Sequence, residues 1–310
     1  MPHAIGIDFG GTSIKSGLVL DGKIVAKGEL IDTKKCGGAE AIIDALVRVI
    51  DTLRAQAPSV AGIGIGLPGI IDSVNGIVHE LTNVPGWFQT PLRQIIHDRT
   101  GLVTTIENDA NAMAYGEWKY GAAIGARHVV CITLGTGVGG ALILDGKLYR
   151  GAQLGAGEIG HMSIDLGGRP GRYGNSGCLE QYCGNNQIAA RAVDLYAASG
   201  ITKTVAECAP IHLDKAARAG DRIALDLWDT LGTEIGAAFA SVVWILNPDT
   251  IVIGGGVAKA GDLLFEPIRK SIAARTVDVF HKDLRVVPAS LGNDAGIIGN
   301  AVLALEAAGV

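Results

Sequence analysis

The order of apolar and polar positions predicts strands and helices that alternate along the first part of the chain. Short apolar or alternating runs predict strands at 4–7, 17–20, 23–27, 62–67 and 103–107. Apolar residues at helical spacing predict helices at 39–55, 91–100 and 110–120. Three strands followed by helices and strands in alternation indicate an α/β domain.

The rest of the chain predicts a second, larger α/β domain. Strands are predicted at 129–134, 141–144, 250–253 and 285–288, and helices at about 187–198, 206–219, 221–246 and 295–308. A glycine-rich loop runs from 151 to 184. We therefore expect domains at 1–118 and 119–295, with a C-terminal helix at about 296–310 packing back on the first domain.

One pattern occurs once in each predicted domain. Asp8-Phe9-Gly10-Gly11-Thr12 is followed by a strand and by Asp21-Gly22, and 133–140 is followed by a strand and by Asp145-Gly146. Asp-Gly between apolar runs predicts a hairpin because both turn residues must accept a positive φ. Two Gly/Thr-rich turns that face each other across a cleft can hold a polyphosphate through backbone N–H groups.

The composition narrows the class of protein. The 310 residues are 48% apolar, enough for two hydrophobic cores, and the net charge of −5 argues against a nucleic acid or a membrane as partner. Five scattered cysteines without a Cys-x-x-Cys pair predict a reduced, cytoplasmic chain. The chain enters a strand at once, so no signal peptide is expected. The uncharged run at 129–144 is interrupted by glycines, which predicts a hairpin rather than a membrane span.

The second Gly/Thr turn also matches a dinucleotide fingerprint. Residues 135–140 read G-x-G-x-x-G, which in a nicotinamide-dependent dehydrogenase must open a helix. Here a strand and a hairpin turn follow, which disfavours that class. The chain has no Gly-Lys-Ser/Thr, so a P-loop is excluded.

Other groups favour a nucleotide. Asp8 at a strand end, with the turn residues Gly10, Gly11 and Thr12 and the cation of Lys15, supplies the parts for Mg²⁺ and a phosphate tail, with Asp8 expected to hold the metal through water. The motifs together resemble the actin/hexokinase nucleotide-binding superfamily. That resemblance implies two ribonuclease-H-like (actin-like ATPase) domains with a nucleotide and sugar cleft between them. It implies ATP with Mg²⁺ as cofactors, and nucleotide contacts at Gly135, Thr136, Gly137, Gly139, Gly254, Gly255 and Gly256.

Polar groups suited to a polyol follow. The segment 107–111 lies at a strand end, where a carboxylate can accept a hydroxyl proton; alternatively it caps the next helix, with Asn108 or Asn111 as the cap, and both interpretations can hold together. Glu158, His161 and Glu180 lie in the glycine-rich loop. His161 alone would more readily be structural, but beside two glutamates it favours recognition of sugar hydroxyls.

These strings also resemble the ROK family of sugar kinases and repressors. The resemblance rests on 134–141, 155–161, 107–112 and supporting pieces that include 66–69 and 83–87. It implies that Asp109 is the catalytic base and that the sugar is bound by Asn83, Asn108, Asp109, Glu158, His161, Glu180 and Gly69. The implied reaction transfers the γ-phosphate of ATP to a hexose 6-hydroxyl, in a homodimer.

Several alternatives stay open. Glucose is the expected sugar, with fructose, mannose, allose, N-acetylmannosamine and N-acetylglucosamine as the others, and polyphosphate is an alternative donor. A non-catalytic, sugar-sensing regulator of the same family is an alternative from another class. Such regulators carry an N-terminal helix-turn-helix segment, for which a first strand at Ala4 leaves no room.

The chain departs from the family at one site. The resemblance implies structural zinc held by His161 and by cysteines at 171, 173 and 178, but Gly171 and Tyr173 stand at two of these positions. His161 and Cys178 alone cannot complete a tetrahedral site, so no structural zinc is expected. We expect packing to order the loop instead, with Tyr173 filling the space.

Overall fold

The computed structural model describes residues 2–81 and 84–310, and contacts within it are concentrated in two units. The first unit contains the chain up to Gly125, together with Leu148–Ala156 and Ser290–Val310. The second contains Ala126–Lys147 and Gly157–Ala289. The first contact boundary lies at 125/126, and nine residues that begin just after the Asp145-Gly146 turn, Leu148–Ala156, belong to the first unit. The domain bounds of 1–118 and 119–295 stay a prediction.

The first unit is an α/β structure. Its strands are β1 His3–Phe9, β2 Ser13–Leu20, β3 Lys23–Lys27, β4 Ile31–Asp32, β5 Val60–Leu67, β6 Gly69–Asp72, β7 Ile77–Leu81 and β8 Val103–Asn108. Its helices are α1 Ala39–Arg54, α2 Leu92–Thr100, α3 Asp109–Tyr120 and α10 Ala295–Ala307. The main sheet has the order β3-β2-β1-β5-β8, in which β1, β5 and β8 are parallel, and β6 pairs with β7 in a separate hairpin.

The second unit has its own sheet and most of the helices. Its strands are β9 Val129–Leu134, β10 Val138–Leu144, β12 Thr250–Gly254 and β13 Arg285–Pro288, and β11 Lys147–Tyr149 lies where the chain passes between units. Its helices are α4 Glu180–Cys183, α5 Asn185–Ala198, α6 Pro210–Arg218, α7 Arg222–Leu246, α8 Asp262–Arg275 and α9 Asp278–His281. The sheet order is β11-β10-β9-β12-β13.

The repeated sequence pattern corresponds to a repeated topology. In each main sheet the first strand lies in the middle, two antiparallel strands flank it on one side, and parallel strands flank it on the other. Both predicted Asp-Gly turns have positive φ at both residues, 48° and 68° at Asp21-Gly22 and 53° and 70° at Asp145-Gly146. The α/β class and the two hairpins are thus confirmed.

Helix α10 packs on the first sheet at strand positions where there is room for glycine but not for a side chain. A Cβ at Gly6 would overlap the carbonyl oxygen of Ile297, and one at Gly64 would overlap that of Asn300. Asn300 is buried, and its Nδ2 donates to the carbonyl of Ile7 at 2.8 Å. The helix backbone therefore lies directly on the strands.

The same close approach occurs between α10 and α3, and it gives a test. In a Gly299→Ala variant the new Cβ would overlap the carbonyl oxygen of Ala112, so we expect the free energy of unfolding to fall by about 1–3 kcal/mol. Urea unfolding followed by circular dichroism measures this. The control is Gly37→Ala, because Gly37 has nothing within 4 Å of its added Cβ and no positive φ. Equal stability of the two variants would contradict the close packing of these helices.

Helix α7 is the core helix of the second unit. It carries a long row of buried residues that includes Trp228, Ile235 and Phe239. By length and composition it is the one helix, among the residues described, that is apolar enough to cross a membrane, and half of the relevant stretch is buried inside the protein. A buried core helix has these same properties.

Candidate functional site

The predicted catalytic segment and the first phosphate turn lie at one edge of the first sheet. The parallel register aligns Asp8 of β1 with Gly66 of β5, and Gly66 with Glu107 of β8. Because the carboxyl ends of parallel strands meet at the same edge, the residues that follow each strand are brought together. Gly69, predicted to contact the sugar, begins β6 just beyond this edge with a φ of 122°.

The turn between β1 and β2 is held so that two of its amides remain available. Gly10 N–H donates to the carbonyl of Ser13 at 3.0 Å, which closes the turn. Thr33 fixes the other side, because its Oγ1 donates to the Gly11 carbonyl at 3.0 Å and its N–H to the Thr12 carbonyl at 3.2 Å. The N–H groups of Gly11 and Thr12 have no acceptor within the described part of the chain, and such paired amides suit an anion.

Asp8 and Lys15 are paired across the same hairpin. Their Cα atoms are partners in the β1–β2 register, and both side chains are partly buried. Burial raises the pKa of Asp8, and the Lys15 ammonium opposes part of that rise. A partly buried carboxylate beside available amides fits Mg²⁺, which prefers oxygen ligands and keeps several waters.

The start of α3 is capped by one of the predicted sugar-binding residues. Asn108 Oδ1 accepts from the N–H of Ala110 at 2.9 Å and of Asn111 at 3.2 Å, so Asn108 rather than Asn111 is the cap. The capping and sugar-binding interpretations are compatible, because Nδ2 of Asn108 has no acceptor among the described residues.

Asp109 is the first residue of α3. It is partly buried, and its Oδ1 accepts from the N–H of Ala110 at 2.8 Å. The helix N-terminus favours negative charge at this position. The carboxylate is therefore held in a fixed orientation at the sheet edge.

An ion pair between a buried carboxylate and a partly buried arginine supports this segment, and it was not predicted from the sequence. Glu107 is 4% exposed; its Oε1 accepts from the N–H of Asn108 at 2.9 Å and from Nδ2 of Asn111 at 3.0 Å. Its Oε2 accepts from Nε of Arg150 at 2.7 Å. Arg150 lies 43 residues away in sequence, and no local pattern links the two residues.

The second Gly/Thr turn, like the first, is closed by backbone hydrogen bonds and leaves two amides available. Gly135 N–H donates to the carbonyl of Gly137 at 3.0 Å, and Asn185 N–H donates to the carbonyl of Gly135 at 2.8 Å. The N–H groups of Thr136 and Gly137 have no acceptor in the residues described. Gly139 belongs to β10, opposite Thr133, so the strand starts three residues earlier than predicted.

Glu180 connects this turn to the predicted sugar residues. Its Oε2 accepts from the N–H of Val138 at 3.0 Å, and a Cβ at Gly137 would lie 2.6 Å from the same oxygen. Only glycine therefore fits at 137 without displacing Glu180.

Glu158 and His161 lie beside Glu180 in the second unit. His161 Nε2 is 3.8 Å from Glu158 Oε2, and His161 ends a short 3₁₀ turn that begins at Ile159. Burial raises the pKa of Glu158, an effect opposed by His161 and increased by the charge of Glu180. The structure thus brings together the three loop residues that were predicted to bind a sugar.

The predicted adenosine segment follows β12 in the same unit. Gly254 pairs with Thr133, and Gly255 has a φ of 89°. A Cβ at Gly255 would overlap the backbone of Leu134, so this turn lies directly against the end of β9. Gly256 has open space around its Cβ position, which suits a flat ring.

Asn83, which the resemblance implies for the sugar site, lies outside the described residues. A surface cavity of about 420 Å³ in the first unit is lined by Ile70, Asp72, His79 and Leu154, among others, and by none of the predicted site residues.

The residues at the zinc positions do not fit a zinc ion. His161 and Cys178 are the two ligand types that remain, and Cys178 is 1% exposed. No group of three or more His, Cys, Asp or Glu suited to a metal occurs in residues 2–81 and 84–310. The absence of zinc from the protein itself stays a prediction.

The fold and the two Gly/Thr turns define a protein of the actin-like ATPase class, in which each half carries the same sheet order. The sequence profile of the ROK family matches residues 4–307. The chain belongs to the ROK family. The resemblance stated from the motifs is thereby confirmed.

Individual relatives cover nearly the whole chain. A glucokinase of Halalkalibacterium halodurans is 38% identical in an alignment 311 positions long, which covers 95% of this chain and 92% of that protein. A ROK family glucokinase from Streptomyces griseus, crystallised with glucose and AMPPNP, is 34% identical with a TM-score of 0.80, covering 98% of this chain and 99% of its own. A xylose repressor of Caldicellulosiruptor bescii is 30% identical and covers 84% of this chain and 67% of the repressor.

Proposed function

We propose that the chain is an ATP-dependent hexose kinase that transfers the γ-phosphate to the 6-hydroxyl of glucose. The observation that carries the proposal is the carboxylate of Asp109, oriented at the N-terminus of α3 beside the amide of Asn108. Full-length similarity to glucokinases supports the substrate class.

Asp109 accepts the proton of the 6-hydroxyl as that oxygen attacks the γ-phosphate. Such a base must lie within hydrogen-bond reach of the hydroxyl, so its orientation matters as much as its charge. Asn108 Nδ2 donates to a sugar hydroxyl while Oδ1 of the same side chain caps the helix. Glu107 and Arg150 keep this segment in place from the buried side.

The amides of Gly11 and Thr12 in one turn, and of Thr136 and Gly137 in the other, bind phosphate oxygens of ATP. Asp8 would hold Mg²⁺ through water, with Lys15 beside it. When bound, the metal neutralises charge on the phosphate oxygens. Gly254, Gly255 and Gly256 admit the adenosine against the backbone, and Gly139 shapes the phosphate turn from β10.

Glu158, His161 and Glu180 bind the sugar hydroxyls, each of which needs a paired donor and acceptor. The two carboxylates accept from hydroxyls, while the imidazole can both donate and accept. A site built to pair hydroxyls rejects a sugar that lacks one of them, because the protein groups are then left unpaired. The family resemblance assigns sugar contacts to Gly69 and Asn83 as well.

A cytoplasmic homodimer without structural zinc is part of the same proposal. None of the five cysteines forms a disulfide within the described residues, which supports a reduced compartment. The repressor relatives favour a second candidate, a sugar-sensing regulator that binds a sugar without phosphorylating it.

The test is an ADP-release assay with ATP and Mg²⁺ and six sugars: glucose, mannose, fructose, allose, N-acetylmannosamine and N-acetylglucosamine. We expect glucose to give the highest kcat/KM. A higher value for another sugar would reassign the substrate, and polyphosphate in place of ATP tests the donor. No turnover on any sugar, with sugar binding detected by calorimetry, would favour the regulator and contradict the kinase.

A further inference from the structure

The loop from Met162 to Leu179 is cross-linked by hydrogen bonds where the family resemblance implies a metal. Isolated bridges pair Ser163 with Cys178 and Pro170 with Ser176. The further bonds run from Ile164 N–H to the Gly177 carbonyl (2.8 Å), from Gly177 N–H to the Arg169 carbonyl (2.7 Å), from Leu179 N–H to the Met162 carbonyl (2.9 Å) and from Ser163 Oγ to the Ser176 carbonyl (2.7 Å). The loop therefore has an internal framework that needs no ion.

Position 171, a cysteine in the zinc pattern, takes part in this framework as glycine. Gly171 N–H donates to the backbone carbonyl of Asn175 at 2.7 Å. An added Cβ would overlap Oδ1 of Asn175 and lie 2.9 Å from its carbonyl oxygen. A cysteine at 171 would therefore require Asn175 to shift, so the arrangement of this loop depends on glycine at this position.

Asn175 extends the connection to His161. Its Nδ2 donates to the carbonyl of His161 at 2.9 Å. Positions 171 and 161, which zinc would join directly, are therefore joined through Asn175. This contact fixes the backbone of His161 and leaves its ring to be oriented by other groups.

Position 173, the second missing cysteine, supplies the contact to that ring. The rings of Tyr173 and His161 are 5.1 Å apart between centroids, with an interplanar angle of 87°, which is the edge-to-face arrangement aromatic pairs favour. Tyr173 is 69% exposed, so it does not fill the loop interior as expected from the sequence. Its ring instead lies on the imidazole, whose Nε2 is 3.8 Å from Glu158 Oε2.

We propose that Tyr173 is a positioning residue for His161. By packing against the imidazole, its ring holds His161 in place, as the zinc ion would in the zinc-containing pattern. This proposal rests on the proposed function, because it is the sugar-binding role of His161 that makes the orientation of its imidazole matter. Since Tyr173 lies on the imidazole and is mostly exposed, removing its ring should affect sugar binding and leave both the fold and the ATP side intact.

The experiment compares Tyr173→Ala and Tyr173→Phe, with Leu166→Ala as the matched control. Leu166 is in the same loop and 92% exposed. We expect Tyr173→Ala to raise KM for the sugar by about 2–10-fold, with kcat and KM for ATP within about twofold. Tyr173→Phe, which keeps the ring, should restore the wild-type KM. An unchanged sugar KM in Tyr173→Ala, or an equal rise in Leu166→Ala, would overturn the proposal.

A readout independent of turnover separates this proposal from the kinase assignment. The imidazole proton resonances of His161, assigned by comparison with His161→Gln, should shift in ligand-free Tyr173→Ala and not in Tyr173→Phe. Unchanged resonances in Tyr173→Ala would overturn the ring contact. Shifted resonances in a protein that phosphorylates none of the six sugars would support the contact and contradict the kinase function.

The zinc content of the protein provides a second test of this proposal. Protein purified without chelator should contain far less than one zinc per chain, and its sugar KM should not change with EDTA when Mg²⁺ is kept in excess. One tightly held zinc per chain would overturn the replacement of the metal by Tyr173 and Asn175.

Discussion

An Asp109→Asn variant is expected to lose kcat by about 10²–10⁴-fold, because a positioned general base contributes about that factor. Asparagine keeps an Oδ1 that accepts from Ala110 N–H, the contact that orients the carboxylate in the native chain. The helix start and its cap at Asn108 should therefore persist. The substitution therefore removes the proton acceptor but keeps the conformation of the segment.

Steady-state kinetics with glucose and ATP, together with calorimetry of glucose binding, measure this. We expect the glucose Kd to stay within about threefold, because the interaction that is lost acts on the transition state. The control is Asp51→Asn on the exposed side of α1. Turnover of Asp109→Asn within tenfold of wild type would show that another group accepts the proton.

The second large effect is expected at Glu117, a carboxylate with no exposed surface. Its Oε1 accepts from Leu291 N–H at 2.7 Å. Its Oε2 accepts from Ala122 N–H at 2.9 Å, Ser290 N–H at 3.0 Å and Ser290 Oγ at 3.1 Å. Ala122 lies shortly before Gly125, where the chain first leaves the first unit, and Ser290 and Leu291 lie where the chain returns to it for the last time.

Glu117→Gln replaces one of these acceptor oxygens by an NH₂ group that faces backbone donors. A buried donor left without a partner costs about 1–3 kcal/mol, so we expect the free energy of unfolding to fall by about 2–4 kcal/mol. Urea unfolding followed by circular dichroism measures the loss. Glu40→Gln, at an exposed position in the first turn of α1, is the control and should change stability by less than about 0.5 kcal/mol. If Glu117→Gln also lowered the free energy of unfolding by less than about 0.5 kcal/mol, the structural role of the hydrogen bonds of Glu117 would be contradicted.

Elements with a local cause could be predicted from the sequence. The Asp-Gly turns follow from the need for positive φ at both residues, and α1 follows from its apolar row at 42, 43, 46 and 50. The start of α6 was wrong by four residues. Pro210 is the first residue of that helix and keeps Ala209 extended, so the helix cannot begin at 206.

The β6–β7 hairpin was also missed. Its strands have four and five residues, pair with a register shift and show no regular alternation. Such a hairpin depends on contacts that a window of sequence does not contain.

The candidate site could be predicted where motifs lie at strand ends. Glu158, His161 and Glu180 lie together, as their shared loop suggested. The ion pair of Glu107 with Arg150 could not be predicted, because the two residues are 43 positions apart. The hydrogen bonds that Glu117 accepts from Ser290 and Leu291 could not be predicted either, because these partners are 173 and 174 positions away. Nothing in the local sequence distinguishes these glutamates from exposed ones.

Helix α10 sets the order in which the protein can form during synthesis. It lies on β1 and β5 through Gly6 and Gly64, yet Ile297 is synthesised 291 positions after Gly6, and Asn300 is synthesised 236 positions after Gly64. The sheet of the first unit is synthesised first, but the face that α10 covers stays uncovered until α10 has left the ribosome. The second unit is complete once Ala289 has appeared, so it can fold while the first still waits for its final helix.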